Sequence, residues 1–438
     1  MKLGLKTEKR IIIKEIAWYI DVVSLLFYGG IMMRVKFFKW LTNVGFFALL
    51  LFSVKTFWDA LPDHIYVKVG DTLSYDFRVP VTVSMKEEEV EAVFVEGRAT
   101  VMNKVEPSYY VTCKLFGVVP VKDIAVTVVE GEAVFAGGMP VGIYAKTNGI
   151  LVIGMGEVTD IEGVKRSPAK NMIKEGDYIV SVNGKPVEEK EDLIELVHKN
   201  GETTEVIGLF RDEEFIEVGV DAVLSGQNRY MLGVWVRDDM AGIGTLTFYR
   251  SDQTFGALGH PINDGDTGEM LLMSEGKLYE TDIIGIKRGE SGNPGELSGV
   301  ITYSRDSYLG AIDTNSEIGI YGTLDGNLSK LEEGEYCEIG YKQEIEMGPA
   351  VILSAVSGEV KEYDIVIESV NFGGYEANKG IRLHVTDREL LELTGGIVQG
   401  MSGSPILQNG KIVGAVTHVL VNDPTRGYGI FIENMLEH

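Results

Sequence analysis

The stretch Gly400-Met401-Ser402-Gly403-Ser404-Pro405, close to the C-terminus, places a serine between two glycines. A serine hydroxyl becomes a useful nucleophile only when a base removes its proton and donors stabilise the oxyanion created by its attack. Glycines on either side allow a sharp backbone turn that aims two N–H groups at one point beside the hydroxyl. The stretch therefore predicts a nucleophile at Ser402, although many Gly- and Ser-rich turns have no catalytic role.

Among the six histidines of the chain, His260 is the best candidate for the base that this serine requires. It lies between Gly259 and Pro261, in a loop that follows the apolar run 255–258, and loops held by a rigid scaffold commonly carry catalytic groups. An imidazole titrates near neutral pH, which suits a general base. His384 and His418 lie in apolar, strand-like runs and are predicted to be structural, whereas His198 lies in a charged helical pattern and His438 is the terminus.

Several aspartates could orient the imidazole, and the residues alone leave this choice open. Asp313 lies in a tight turn between His260 and Ser402, as in the chain order of chymotrypsin. Asp264 and Asp266 are close to His260 in the chain, but closeness does not ensure that a carboxylate reaches the far side of the ring. Asp387 opens a helical pattern, where an ordinary helix N-cap is the competing interpretation.

The segment 383–435 resembles the stage IV sporulation protein B family, the membrane-anchored serine peptidases of endospore-forming bacteria. The serine stretch also resembles the Gly-Asp-Ser-Gly-Gly-Pro signature of chymotrypsin-like proteases. The block around His260 matches the family too, and the similarity extends over everything after about residue 60. Three stretches carry the match most clearly: 394–405, 414–419 and 422–430.

This resemblance implies a catalytic triad of His260, Asp387 and Ser402. Ser402 would attack the scissile carbonyl, His260 would take and return the proton, and Asp387 would fix the tautomer of the imidazole. By analogy with the chymotrypsin turn, the backbone N–H groups of Gly400 and Ser402 would form the oxyanion hole. Such a site requires no cofactor, and no cysteine–histidine cluster suggests a metal site.

A second module is predicted upstream of the serine and histidine motifs. Segment 149–187 contains an apolar strand, a Gly-Asp turn, a second strand and an Asn-Gly turn, and an amphipathic helical pattern follows. This order resembles a PDZ domain, which binds a peptide as an added strand and captures its terminal carboxylate with backbone N–H groups. We place that loop at Val141, Gly142 and Ile143. A simple hairpin would explain Asn183-Gly184 but not the whole order.

Composition and charge limit the class of protein. A chain of 438 residues allows two to three domains, and 53 glycines among short β-branched runs favour a mostly β fold. A net charge of −25 argues against nucleic-acid binding, because polyphosphate partners need basic patches. The predicted parts are an N-terminal extension with an anchor (1–60), a β-rich module (62–136), a PDZ domain (137–222) and, by resemblance, a chymotrypsin-like double β-barrel peptidase domain (223–438).

An apolar stretch at 37–58 is long enough for one membrane crossing, with Lys39 and Lys55 near its ends. Basic residues precede it, which predicts a cytoplasmic N-terminus with the bulk of the chain outside. A cleaved signal peptide is the alternative, but no clear small-x-small cleavage site follows. We expect the first 31 or 32 residues, with a second apolar patch interrupted by Asp21, to be an upstream extension from the choice of start site or a poorly ordered appendage.

The resemblance implies a membrane-anchored, self-cleaving serine endopeptidase that signals during endospore formation. It would work between the two membranes of the developing spore and cleave a membrane-bound regulator, which leads to activation of a late sigma factor. The implied partners are peptide or protein substrates including itself, the membrane and that regulator. A PDZ-bearing quality-control protease and a catalytically inactive PDZ scaffold are the alternatives. The order of PDZ before protease favours the signalling interpretation.

Overall fold

The computed structural model describes nearly all of the chain after residue 107 and shorter segments before it. The described residues are 18, 39–46, 48–49, 52–69, 73–74, 81–85, 92–95, 98–101, 108–201, 203–212, 214–326, 334–373 and 376–437. Those at 39–46, 48–49 and 52–60 are helical, and no helix in this described part is long and apolar enough to cross a membrane. Part of the predicted crossing at 37–58, and nearly all of the predicted extension at 1–32, lie outside the described residues.

Two sheets follow the helical segment. Their strands are β1 (His64–Lys68), β2 (Leu73–Ser74), β3 (Val81–Met85), β4 (Ala92–Val95), β5 (Arg98–Val101), β6 (Ser108–Leu115) and β7 (Val119–Val129). The sheet orders are β1-β7-β6-β3 and β2-β5-β4. Strand side chains alternate between faces, so β6 buries Tyr109, Val111, Cys113 and Leu115 on one side. This module therefore has an apolar core of its own.

The region predicted as a PDZ domain follows. Its elements, and the strand that precedes it, are β8 (Ala133–Ala136), β9 (Pro140–Met155), β10 (Val158–Thr159), β11 (Lys165–Arg166), β12 (Tyr178–Val182), β13 (Lys185–Pro186), α1 (Lys190–Asn200), β14 (Thr204–Arg211), β15 (Glu214–Asp221), β16 (Val223–Leu224) and β17 (Tyr230–Met231). Helix α1 buries Leu193 and Val197 and leaves Ile194 exposed. The core of this region extends to Val236, past the predicted boundary at 222.

The remainder of the chain is again mostly strand. Its elements are β18 (Val234–Tyr249), β19 (Thr254–Ala257), β20 (Met273–Lys287), β21 (Glu296–Ile301), β22 (Tyr308–Ser316), β23 (Gly319–Thr323), β24 (Glu335–Ile339), β25 (Gly348–Ser354), β26 (Lys361–Val370), β27 (Ile381–Val385), α2 (Arg388–Thr394), β28 (Pro405–Gln408), β29 (Lys411–Leu420), β30 (Asp423–Phe431) and α3 (Ile432–Leu436). Single 3-10 turns lie at Lys342–Glu344 and Ala377–Lys379. The prediction of a mostly β protein is confirmed.

Two apolar clusters mark the two halves of this region, and a third, with Phe248 and Ile430, joins them. One, around Leu246, Phe255 and Leu309, is built mainly from β9 and β18–β23, and the other, around Tyr363 and Ile406, mainly from β25–β30. Hydrogen bonds join these strands into one network that closes as a barrel and also includes β8. The loop after β19 belongs to the half around Phe255, and the turn between α2 and β28 belongs to the half around Ile406. These two segments therefore meet between the two halves of the barrel.

Strands β9 and β18 are unusually long, with 16 residues each. They pair antiparallel over almost their whole length, from Val234 opposite Met155 to Thr245 opposite Pro140. A strand of this length spans about 50 Å. Both strands therefore run from the PDZ region into the barrel, and β9 pairs there with β20 as well.

Candidate active site

Ser402 lies in the turn between α2 and β28, and the glycines around it shape that turn. Gly400 and Gly403 have φ values of +99° and +96°, in the left-handed region that favours glycine. A Cβ atom on Gly403 would clash with the carbonyl oxygen of Thr245 and the backbone nitrogen of Leu258. Only glycine therefore allows the Ser402 turn to approach β18 and the loop after β19 so closely.

Strand β18 also holds the Ser402 turn by hydrogen bonds. The backbone N–H of Thr245 donates to Ser402 O at 3.0 Å, and its buried Oγ1 donates to Gly400 O at 2.8 Å. The carbonyls of the turn thus point towards β18. Within the described part of the chain, the N–H groups of Gly400 and Ser402 donate no hydrogen bond. They are the two donors that the sequence predicts for an oxyanion hole.

His260 follows β19 in a loop that packs against β29. Leu258 and Gly259 have φ values of +69° and +71°, and a Cβ atom on Gly259 would lie 2.9 Å from Thr417 Cγ2. The side chain of Asn315 fixes the next part of the loop, since its Oδ1 accepts from the N–H of Ile262 at 2.8 Å. Sequence reasoning missed Asn315, because nothing in a single strand end reveals a contact with a distant loop.

The imidazole of His260 is held by its own chain. Nδ1 lies 2.8 Å from the carbonyl oxygen of Pro261, an acceptor that fixes the tautomer with its proton on Nδ1 and leaves Nε2 as the base. Burial lowers the pKa of His260, and the hydrogen bond to Pro261 opposes this shift. The ring is therefore neutral at neutral pH, as a general base requires.

Ser402 and His260 line one cavity of about 490 Å³, together with His418 of β29. The Ser402 hydroxyl donates to the carbonyl oxygen of Thr417 at 2.9 Å, so its proton is not directed at an imidazole in this state. The ring centres of His418 and His260 are 5.3 Å apart. Burial, His260 and Lys379 lower the pKa of His418 to about 4, so this ring is neutral as well. His418 was predicted to be structural, and here it forms part of the cavity wall.

The aspartates considered from the sequence lie elsewhere. Asp387 is the N-cap of α2, with Oδ1 accepting from the N–H of Leu390 at 2.9 Å, and it does not line the cavity. Asp264 is buried and paired with Arg237, which also contacts Asp266 at 2.7 Å. Asp313 is exposed. Among the described hydrogen bonds, none joins any of these four carboxylates to His260.

The prediction that Val141, Gly142 and Ile143 form a carboxylate-binding loop is wrong. These residues lie inside β9, where Gly142 is opposite Ile243 of β18 on one side and Tyr279 of β20 on the other. A carboxylate loop needs backbone N–H groups that point away from sheet partners. Here both strand edges are paired, and Ile143 lines the cavity of Ser402 and His260 instead.

A second apolar-Gly-apolar segment, Leu232-Gly233-Val234, lies in the PDZ region, and Gly233 has a φ of +71°. It leads into the start of β18, one edge of which pairs with β9, while no described strand pairs with the other edge at 234–237. Val234 and Val236 pack against the core that includes Leu193 of α1. At the far end, Asp238 accepts hydrogen bonds from the N–H of Lys190 (2.8 Å) and from its Nζ (2.6 Å). The open strand edge therefore lies beside α1.

Two family models match the chain. The model described as SpoIVB peptidase S55 matches residues 228–436, which contain His260, Asp387 and Ser402, and the PDZ domain model matches residues 160–207. The chain is a SpoIVB-type peptidase with a PDZ domain. This SpoIVB-type peptidase is a serine endopeptidase. The predictions of the family and of the enzyme class are confirmed.

Solved structures show more distant likenesses to the SpoIVB-type peptidase. The active form of the Rv3671c protease from M. tuberculosis is 14% identical, with a TM-score of 0.25 over 45% of this chain and 74% of that chain. Its inactive form is also 14% identical, with a TM-score of 0.23 over 44% and 83%. The PDZ domain of the SdrC-like protein from Listeria monocytogenes is 16% identical, with a TM-score of 0.17 over 20% and 87%. The search of curated proteins gives no match.

Proposed function

We propose that this peptidase uses Ser402 as its nucleophile and His260 as its general base, and that it cleaves its own chain and a small set of protein targets. One observation carries the assignment of the two residues. Their side chains line a single cavity, and beside them the N–H groups of Gly400 and Ser402 donate no described hydrogen bond. Nucleophile, base and oxyanion donors are thus together, which is the set that acyl transfer requires.

The proposed reaction starts when the Ser402 hydroxyl leaves the carbonyl of Thr417. Nε2 of His260 accepts its proton while Oγ forms a bond to the scissile carbonyl carbon. The N–H groups of Gly400 and Ser402 stabilise the oxyanion, a contribution of about 10²–10³ in rate per donor. His260 then gives the proton to the leaving amine, and water hydrolyses the acyl-enzyme by the same steps in reverse order.

The family resemblance adds Asp387 as the acid that orients His260. This part of the proposal requires a rearrangement, because the carboxylate caps α2 and the Nδ1 atom of His260 faces the carbonyl of Pro261. To act in a triad, a carboxylate oxygen of Asp387 must replace the carbonyl of Pro261 as the acceptor for Nδ1, and Oδ2 can do so while Oδ1 keeps the N–H of Leu390. The triad is recognised by geometry and role, so substitution at Asp387 decides this point.

The biological role is proposed from resemblance and from the N-terminal sequence. The target would be a membrane-bound regulator cleaved during endospore formation, upstream of late sigma factor activation. The apolar stretch at 37–58 would anchor the enzyme, with the peptidase outside the cytoplasm and self-cleavage releasing it. Selective cleavage supports this role, whereas broad cleavage of unfolded casein would favour the quality-control alternative.

A labelling experiment on the full-length chain tests the assignment of Ser402. A fluorophosphonate probe and the time course of self-cleavage are compared in the parent, Ser402→Ala and Ser404→Ala. Ser404 is a matched control in the same turn, since its buried hydroxyl has no described hydrogen-bond partner. We expect labelling and fragmentation in the parent and Ser404→Ala and neither in Ser402→Ala. Equal labelling of Ser402→Ala and the parent would refute the proposal.

A further inference from the structure

Much of the wall of the cavity next to Ser402 is aliphatic, and Val419 packs against the cluster that contains Ile397 and Val398. Ile397 and Val398 precede the Ser402 turn and are almost completely buried, at 2% and 1% exposure, so they form a fixed surface. Val419 and Val421 lie beyond Thr417, and Val421, at 52% exposure, stands at the mouth. A side chain that enters beside Ser402 therefore passes from an exposed apolar rim to a buried apolar wall.

The same cavity contains no charged side chain among the described residues that line it. Its polar side chains are neutral amides, hydroxyls and imidazoles, from Asn263, Gln399, Ser402, Thr417, His260 and His418. Both histidines have pKa values lowered by burial, so neither ring supplies charge at neutral pH. The neutrality is notable in a chain whose net charge is −25. A charged substrate group would lose its hydration here without gaining an ion-pair partner.

We propose that the peptidase selects substrates with an uncharged aliphatic side chain at the residue that carries the scissile carbonyl, bound against the aliphatic wall formed by Ile397, Val398, Val419 and Val421. In serine proteases generally, a charged pocket selects opposite charge and an apolar pocket selects apolar side chains. The cavity volume of about 490 Å³ leaves room for a branched aliphatic side chain and the flanking peptide. This inference rests on the proposed role of Ser402 as nucleophile.

Peptidyl diphenyl phosphonates test the selection directly in the full-length enzyme. Ser402 Oγ would displace phenoxide from phosphorus, so the rate of inactivation measures how well each side chain is accepted. Three probes differ only at the residue that enters the cavity: valine, lysine and glutamate analogues. We expect the valine probe to react at least about 100-fold faster than the other two, because each charge would be buried without a partner. Lysine or glutamate rates within threefold of the valine rate would overturn the inference.

A variant at the cavity mouth locates the selecting wall. Val421→Asp adds a carboxylate at an exposed position, so the fold is expected to tolerate it. The lysine probe should then react at least about 10-fold faster than with the parent, because the new charge pairs with the ammonium. An unchanged lysine rate would overturn the assignment of this wall.

A fluorophosphonate without a peptide separates the proposed role of Ser402 from the proposed selection of aliphatic side chains. Failure of this probe to label Ser402 rejects the nucleophile. Normal labelling, together with equal rates for the charged and uncharged peptide probes, rejects only the selection.

Discussion

The Ser402 turn and the Asp387 corner are close in the chain, separated by α2, and the resemblance assigns catalytic roles to both. The turn is shaped by long-range contacts: Gly403 packs against Thr245 and Leu258, and Thr245 donates to the carbonyls of Gly400 and Ser402. At the corner, the backbone N–H of Asp387 also donates to a distant strand, to Asp364 O at 3.0 Å, but its carboxylate accepts locally from the N–H of Leu390. The turn thus leaves two N–H donors beside Ser402 without a described partner, whereas the Asp387 side chain already has an ordinary capping role.

The largest expected effect on the labelling rate of Ser402 comes from Asp387→Asn, which tests whether the Asp387 corner has a catalytic role like the Ser402 turn. Asparagine caps a helix about as well as aspartate, so the substitution keeps α2 and removes only the charge. If Asp387 completes the triad, fluorophosphonate labelling of Ser402 should fall about 10⁴-fold, with an unchanged urea unfolding midpoint. Labelling at the parent rate would leave Asp387 as a cap alone. In that case Asp387→Ala should only lower the free energy of unfolding by about 1 kcal/mol.

The next largest effect is expected from Gly403→Ala. The new Cβ would overlap the backbone of Thr245 and Leu258 and would force an L-residue to adopt a φ of +96°. We expect the free energy of unfolding to fall by about 3 kcal/mol or more and the labelling of Ser402 to be lost. Urea denaturation measures the first quantity. Gly410→Ala is the control, since Gly410 has a φ of +74° but open space around it, and its cost should be about 1–2 kcal/mol.

A smaller effect should follow removal of the hydroxyl that holds the Gly400 carbonyl. Thr245→Val keeps the shape of the side chain and leaves the carbonyl of Gly400 without this donor, at a cost of about 1–3 kcal/mol in the free energy of unfolding. Thr247→Val is the matched control on the same strand, because the buried hydroxyl of Thr247 has no described hydrogen-bond partner. A cost for Thr247→Val as large as for Thr245→Val would contradict the role of this hydrogen bond.

The smallest effect concerns pH. Burial lowers the pKa of His260 below its ordinary value of 6.5, so the base stays neutral as the pH falls through 6.5. We expect the rate of fluorophosphonate labelling at pH 6.5 to remain close to the rate at pH 7.5, with the acid limb below 6.5. The unfolded chain binds the proton more tightly than the folded one, so this histidine lowers stability as the pH falls below 6.5. An acid limb centred above 6.5 would contradict the lowered pKa.

Sequence reasoning reached the family, the mostly β fold and the two motifs that the structure brings to one cavity. Ser402 and His260 stand out locally, because each lies among residues that break strands, directly beside apolar runs. The prediction of a carboxylate loop at Val141-Gly142-Ile143 is wrong, and the same apolar-Gly-apolar pattern occurs at Leu232-Gly233-Val234. What separates them is strand pairing: both edges are occupied at Gly142, whereas one edge near Val234 has no described partner. Pairing across more than 90 residues leaves no trace in a short pattern.

The paired strands β9 and β18 have a consequence for how such a chain can be rearranged. Domains exchanged between proteins are usually joined by a single loop that can be cut and religated. Here the PDZ region is joined to the barrel through two antiparallel strands, paired from Met155 to Pro140 with two shifts of register at the PDZ end. Removing one residue from β18 between Arg237 and Thr245 would turn every later side chain of the strand to the opposite face. Recombination at this junction would therefore have to replace both strands together to keep the pairing between the two regions.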